Sequence, residues 1–317
     1  MSRSISVTVP ATTANIGPGF DCLGAALTLY NRFEFTALDQ APGTITITVQ
    51  GAEADRVVTN SSNLAYKAFA HYFHNRGLAV PAVAIAIDLN VPLARGLGSS
   101  STAIVGGLLG ANGLCDQPMD QAALVEMAIA LEGHPDNVVP AMVGGCQLAV
   151  AQEDGTSVLC PVPWHSDVIP VVAIPDFELS TAEARRVLPA TYSRADAIFN
   201  TAHLGLLLRG LESGNGDWLR VALGDRIHQP YRQTLIPGYG AVSEAAIAAG
   251  AYGLVISGAG PTLLALAPAQ AARQVGEAMA MAWRQQGQSA QVHVLAVENQ
   301  GAHTRANGRL PLPKFMP

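Results

Sequence analysis

The chain has 317 residues, 49% of them hydrophobic and only 13% charged, with a net charge of −6 at neutral pH. That balance gives a well-buried globule of one large or two ordinary domains and excludes a disordered chain. Scattered basic residues exclude a nucleic-acid surface, and apolar runs such as 79–87 are too short to cross a bilayer.

The first residues lack the apolar core of a signal peptide. The four cysteines, Cys22, Cys115, Cys146 and Cys160, are far apart and form no C-x-x-C pair, so reduced, mostly buried thiols in a soluble cytoplasmic protein are expected. In chain order, β-branched residues predict strands at 4–10, 32–37, 43–49 and 83–89. Helices are predicted at 63–76, at 100–112 and at 120–131, where Leu124, Met127, Ala128 and Leu131 make one apolar stripe. Residues 144–151 return to strand. A second half restarts with a strand at 168–174 and continues with helices at 195–213, 218–223 and 241–249. A strand leads into a loop at Ser257, followed by a helix at 270–285 and a strand at 291–296. The tail, 299–317, reads as extended. The domain boundary is expected near 160, giving units 1–160 and 161–317.

The stretch Pro92, Leu93, Ala94, Arg95, Gly96, Leu97, Gly98, Ser99, Ser100, Ser101 and Thr102 is a Gly/Ser turn running straight into a small-residue apolar helix. Free backbone N–H groups and the helix dipole at such a junction attract phosphate. Gly96 and Gly98 allow a close approach by the backbone, and the serines offer hydroxyls to phosphate oxygens or to Mg²⁺. No Gly-Lys-Ser/Thr follows, so this is not a Walker A loop, and Ser101 stands where a dinucleotide fingerprint needs a third glycine. The only lysines, Lys67 and Lys314, lie far from it in sequence.

Three further motifs accompany it: Pro10-Ala-Thr-Thr-Ala-Asn-Ile-Gly-Pro-Gly-Phe-Asp21, Glu132-Gly-His-Pro-Asp-Asn137 and Ser257-Gly-Ala-Gly-Pro-Thr262. In the first, a tight turn at Gly17, Pro18 and Gly19 aims Asn15 and Asp21 at a small polar substrate, or leaves them capping their own loop. In the second, His134 or Asp136 reads as a general base, or Pro-Asp-Asn as plain turn chemistry. Glu126 is a solvated carboxylate or, with Ser100, a metal ligand; Glu132, nearer the turn, is its rival. Arg185 and Arg232 are surface residues or a pair of forks for a carboxylate. His203, among Leu204, Leu207 and Leu208, reads as a packed histidine.

Together the four motifs, in order and over nearly the whole chain, resemble those of the GHMP small-molecule kinases. The N-terminal form resembles the branch acting on the amino acid L-homoserine; the sugar and mevalonate branches carry a Pro-Gly followed by a basic residue there. The resemblance implies an α+β, two-domain architecture. Its N-terminal domain is like domain 2 of ribosomal protein S5, its C-terminal domain is ferredoxin-like, and the active site lies between them. It implies ATP on the loop 92–102, with Mg²⁺ on Ser100 and Glu126, the latter by counting back from Asn137. It implies L-homoserine on Asn15, Asp21, His134, Asn137, Thr181, Arg185 and Arg232, and a homodimer. Asn137 falls where several relatives place a catalytic aspartate. An amide cannot take a proton, so transfer without a protein base is expected, with Asn137, Asp136, His134 and Asp21 around the reacting groups. A kinase of another small alcohol, or a non-catalytic binding protein of the same fold, is the alternative.

Overall fold

The computed structural model describes residues 3–307. The first half runs β1 (Ser4–Ala14), β2 (Leu23–Ala37), β3 (Ile45–Gly51), α1 (Leu64–Asn75), β4 (Val83–Leu89), α2 (Ser99–Leu114), α3 (Gln121–Glu132), α4 (Pro135–Val143), β5 (Cys146–Ala151) and β6 (Ser157–Val162). The second half runs β7 (Val168–Pro175), α5 (Thr181–Arg186), α6 (Arg194–Ser213), α7 (Gly216–Ala222), α8 (Gln229–Arg232), α9 (Tyr239–Ala248), β8 (Gly253–Ile256), β9 (Leu263–Pro268), α10 (Ala272–Gln285), β10 (Ala290–Val294) and β11 (His303–Asn307).

The first sheet has the order β11-β1-β2-β4-β3, with β5 and β6 branching from the start of β2. Ile5, Val7 and Val9 of β1, Phe33 and Phe35 of β2 and Ile85 of β4 alternate onto one face and pack on α1 and α2. Phe35 stacks on Phe69 of α1, with ring centroids 5.5 Å apart. Register slips between Pro10 and Ala11, where proline has no N–H to keep the ladder. The second sheet is antiparallel, in the order β10-β7-β9-β8. With its strands numbered one to four that order is 4-1-3-2, and with α10 before the last strand it gives the ferredoxin-like arrangement. Helices α9 and α10 cover one face through Val242, Met279 and Trp283. A third core joins the halves: Ala11, Leu23, Leu27 and Leu97 meet Val172, Leu264 and Leu266 together with Leu207 and Leu211 of α6.

That shared core explains the strands that alternation does not reveal. β2 begins at Leu23, well before the expected 32, because Leu23, Gly24, Ala25, Ala26 and Leu27 are all buried and show no period of two. In β9 Leu264 and Leu266 enter the shared core while Leu263, Ala265 and Ala267 face the other way into the α9–α10 core. The segment after His134, for which a turn was the alternative reading, is helix α4 with Pro135 in its first turn. The tail returns as β11 beside β1; residues 308–317 lie outside the described residues. All four cysteines are free, Cys115 and Cys146 buried, Cys22 half-buried and Cys160 exposed.

Candidate active site

A cleft of about 530 Å³ opens between the two sheets where all four motifs converge. Gly98, at φ 67°, caps α2, and an added Cβ there would stand 2.0 Å from Thr12 Oγ1. Leu93, Ala94, Arg95, Gly96, Gly98, Ser99 and Ser100 line the cleft. The rest of the stretch does not: Leu97, Ser101 and Thr102 are fully buried, and Pro92 borders a second cavity behind the loop. Arg95, the loop's one cation, has all three guanidinium nitrogens on backbone carbonyls. Its nitrogens donate to Pro175 O (3.0 Å), Leu93 O (2.8 Å) and Asp176 O (2.9 Å). The Ser257 loop buttresses the turn: Ser257 Oγ donates to Gly96 O at 2.7 Å, and a Cβ on Gly96 would meet Ser257 O at 2.3 Å.

Glu126, counted back from Asn137 as a metal ligand, stands outside the cleft. Its Oε1 accepts from Ser157 N of β6 at 3.2 Å. Glu132 lines the cleft, and its Oε1 accepts from Ser100 Oγ at 2.7 Å and Ser101 Oγ at 3.0 Å. Six residues on a helix turn the side chain through about 600°, which leaves the two glutamates about 120° apart and on different faces. A carboxylate and a hydroxyl at a helix N-terminus are hard oxygen donors of the kind Mg²⁺ takes in pairs. Among the described residues no group of three or more His, Cys, Asp or Glu is placed to hold a metal ion.

Gly133, in the left-handed region at φ 87°, ends α3 and turns the chain into α4. Asp136 is buried beneath and accepts from His134 Nδ1 at 2.8 Å, and that bond raises the imidazole's proton affinity above its usual 6.5. Asn137 Nδ2 donates to Asp136 Oδ1 at 3.4 Å, while Thr12 Oγ1 donates to Asn137 Oδ1 at 2.7 Å.

Across the cleft Arg185 of α5 meets Asp21 of the first loop in two bonds, 2.8 and 2.9 Å. Arg232 of α8 is 2% exposed and donates to Gly258 O (3.0 Å) and Ala184 O (3.2 Å). Burial, then Arg185, lowers its proton affinity. Both guanidiniums lie over the Phe20 ring, at 5.7 and 5.0 Å, and the ring's partner in stacking is His228. His228 Nε2–H donates to Gly17 O at 2.9 Å, and burial depresses its proton affinity. Asp225 fixes α8, accepting from the amides of Ile227, His228 and Gln229 at 2.7–3.0 Å. Asn15 bridges the halves, donating to Gly258 O at 2.8 Å and accepting from Asp21 N at 2.9 Å. Thr181 opens α5 at the cleft wall. Among the described residues four non-glycine residues take positive φ, and all sit on these loops: Asn15 (70°), Ile16 (44°), Asp21 (57°) and Ala94 (51°). Strain of that kind persists only where the surroundings overdetermine it. His203 packs on Phe199 and lies outside the cleft.

Sequence reasoning missed the far end of the cleft, an apolar slot of Phe33, Val57, Val58, Leu64, Ile87 and Leu89. Its one signal was the apolar pair Val57 and Val58 in a polar stretch before a helix start. Thr12, Phe20, His228 and Asp225 were also passed over, although two of them lie inside the first motif.

The fold and this cleft define a small-molecule phosphotransferase of the GHMP kind. The family model for the GHMP kinases N terminal domain matches residues 63–145, and that for GHMP kinases C terminal matches residues 207–285. Curated homoserine kinases from Trichormus variabilis and Microchaete diplosiphon are each 62% identical to the chain; the first match covers 94% of this chain and 98% of the relative, the second 96% and 98%. A crystal structure of homoserine kinase from Cytophaga hutchinsonii superposes with a TM-score of 0.87 at 30% identity, covering 95% of this chain and 97% of that one. An L. major mevalonate kinase superposes at 0.71 with 15% identity over 93% and 96% of the two chains, which is likeness of fold alone. The chain belongs to the GHMP kinases and, within them, to the homoserine kinase family.

Proposed function

We propose that the chain transfers the γ-phosphoryl group of ATP to the side-chain hydroxyl of L-homoserine, giving O-phospho-L-homoserine, ADP and the hydroxyl's proton, which leaves to solvent. The observation that carries this is the pairing of a helix-capping Gly/Ser loop with Asp21, Arg185 and Arg232 in one cleft. A phosphate site facing a carboxylate and two arginines suits an amino acid, whose ammonium and carboxylate need opposite partners. The apolar slot at Val57, Val58 and Leu64 suits the adenine end, and the amides and hydroxyls of Gly98, Ser99 and Ser100 suit the phosphates.

Ser100 and Glu132 are the residues that would hold Mg²⁺, which neutralises phosphate charge when bound. Asn137 orients the acceptor oxygen through its N–H group, and the arginines anchor the carboxylate so that the hydroxyl meets the phosphorus in line. Positioning and charge stabilisation then supply most of the rate. Division of the chain near residue 160 into a nucleotide-binding unit and a second unit that contributes to the substrate site, and assembly as a homodimer, belong to the same reading; sedimentation tests the latter. ADP release measured with homoserine, mevalonate, galactose and shikimate tests the whole. Turnover confined to homoserine supports it, and a preference for any of the others overturns it.

A further inference from the structure

Asn137 sits where a proton acceptor would stand, and a side-chain amide can offer either of two faces to a substrate: a carbonyl that accepts or an NH₂ that donates. Which one it offers decides what it can do for the reaction. Two bonds from different elements agree on the answer. Thr12 Oγ1, on β1, donates to Asn137 Oδ1 at 2.7 Å, and Asn137 Nδ2 donates to Asp136 Oδ1 at 3.4 Å. The carbonyl is therefore turned down onto β1 and the cap of α2; a Cβ on Gly98 would lie 3.2 Å from that same oxygen. One N–H faces the buried Asp136, and the other is left for the cleft that Asn137 lines.

We infer that Thr12 is a positioning residue for the transfer. Its hydroxyl locks the Asn137 amide with NH₂ toward the acceptor oxygen, so that Asn137 serves as a donor and never as an acceptor. The inference rests on the proposed function for the identity of the acceptor but not for the geometry. Thr12 suits the task because it cannot wander. It is fully buried, its N–H donates to Leu97 O of the phosphate loop at 3.1 Å, and its partner across the sheet is Ala26 of β2. A residue whose backbone N–H is held by the phosphate loop and whose hydroxyl orients the amide that meets the acceptor couples the two halves of the reaction.

The test is a kinetic cycle with a spectroscopic arm. Thr12→Val keeps shape and loses the hydroxyl, and Thr12→Ala loses it without crowding Gly98. Both should lower kcat about ten-fold, the size of one neutral hydrogen bond near the top of its net range, while Thr12→Ser keeps kcat near wild type. In an Asn137→Ala background Thr12→Val should cost nothing more, since its target is gone. Equal losses in both backgrounds, equal damage from Thr12→Ser, or no loss at all in Thr12→Val would overturn the inference. The Asn137 side-chain amide, identified in a ¹⁵N-correlated spectrum by its absence from Asn137→Ala, should shift more in Thr12→Val than in Thr12→Ser, whatever alcohol the enzyme uses. An unmoved signal overturns the inference as well. Failure of the wild type to turn over homoserine counts against the proposed function alone.

Discussion

Asp21 and Arg185 are bonded to each other through both oxygens of one and both terminal nitrogens of the other, although 164 residues separate them in the chain. The pair spans the cleft from the first loop to α5 and is about one-third exposed on each side, at 34% and 39%. Its two members present the charges that an amino-acid zwitterion would complement. A substrate with both charges exchanges one ion pair for two. A substrate with one charge breaks the pair and restores only half of it.

Asp21→Asn should therefore raise KM for homoserine by about one decade, near the low end for a charged hydrogen bond because the pair is part-exposed. KM for ATP should hold nearly constant. Initial rates with each substrate varied in turn give both numbers, and an equal rise for ATP would place Asp21 in folding or in phosphate binding.

Glu132 and Glu126 make a sharper contrast. Glu132→Gln should raise the Mg²⁺ concentration for half-maximal turnover by at least about ten-fold, the lower end of what even outer-shell partners of a metal contribute. Ser100→Ala should act in the same direction and leave the fold intact. Glu126→Gln keeps an oxygen for Ser157 N and should stay within about two-fold of wild type, as changes away from a site do. A Mg²⁺ titration of the three variants decides it, and the opposite ranking would restore Glu126 as the metal ligand.

The bond between His134 and Asp136 has a pH signature. The folded chain raises the His134 proton affinity above 6.5, so the stabilisation is complete below the unfolded value and is lost as pH rises through the higher folded one. Asp136→Asn removes the cause. It should lower the urea midpoint more at pH 5.5 than at pH 8.5, and a uniform shift would mean the carboxylate acts only through packing. In kcat the same variant should lose less than the 10²–10⁴-fold commonly supplied by a general base. A loss at the top of that range, with a matching change in the pH–rate profile, would make Asp136 the base.

The motifs were legible because glycine, proline and small polar residues mark places where the backbone itself does the work. Gly96, Gly98 and the loop from Asn15 to Asp21 all lie where their spacing indicated. What failed was counting along a helix. Glu126 is at the right distance in sequence and on the wrong face in space, and Glu132 reaches Ser100 because Gly133 ends α3 there. Strands β2 and β9 were hidden wholly or in part because both of their faces are buried, which erases alternation. The apolar slot was hidden for a related reason: Phe33, Val57, Leu64 and Ile87 come from four separate segments, and only the fold brings them together.

The central claim is that this cleft reads an amino acid by its carboxylate, and Arg232 tests it most directly. Buried and bonded to Gly258 O and Ala184 O, it is held rigid with a wall of the cleft at its tip. Arg232→Leu should lower kcat/KM for homoserine by about one to two decades, the worth of one charged hydrogen bond, with KM for ATP nearly unchanged. For 3-amino-1-propanol, which is homoserine without its carboxylate, kcat/KM should be almost indifferent to the change. Equal losses for the two alcohols would contradict the account, because Arg232 would then be doing something other than holding a carboxylate.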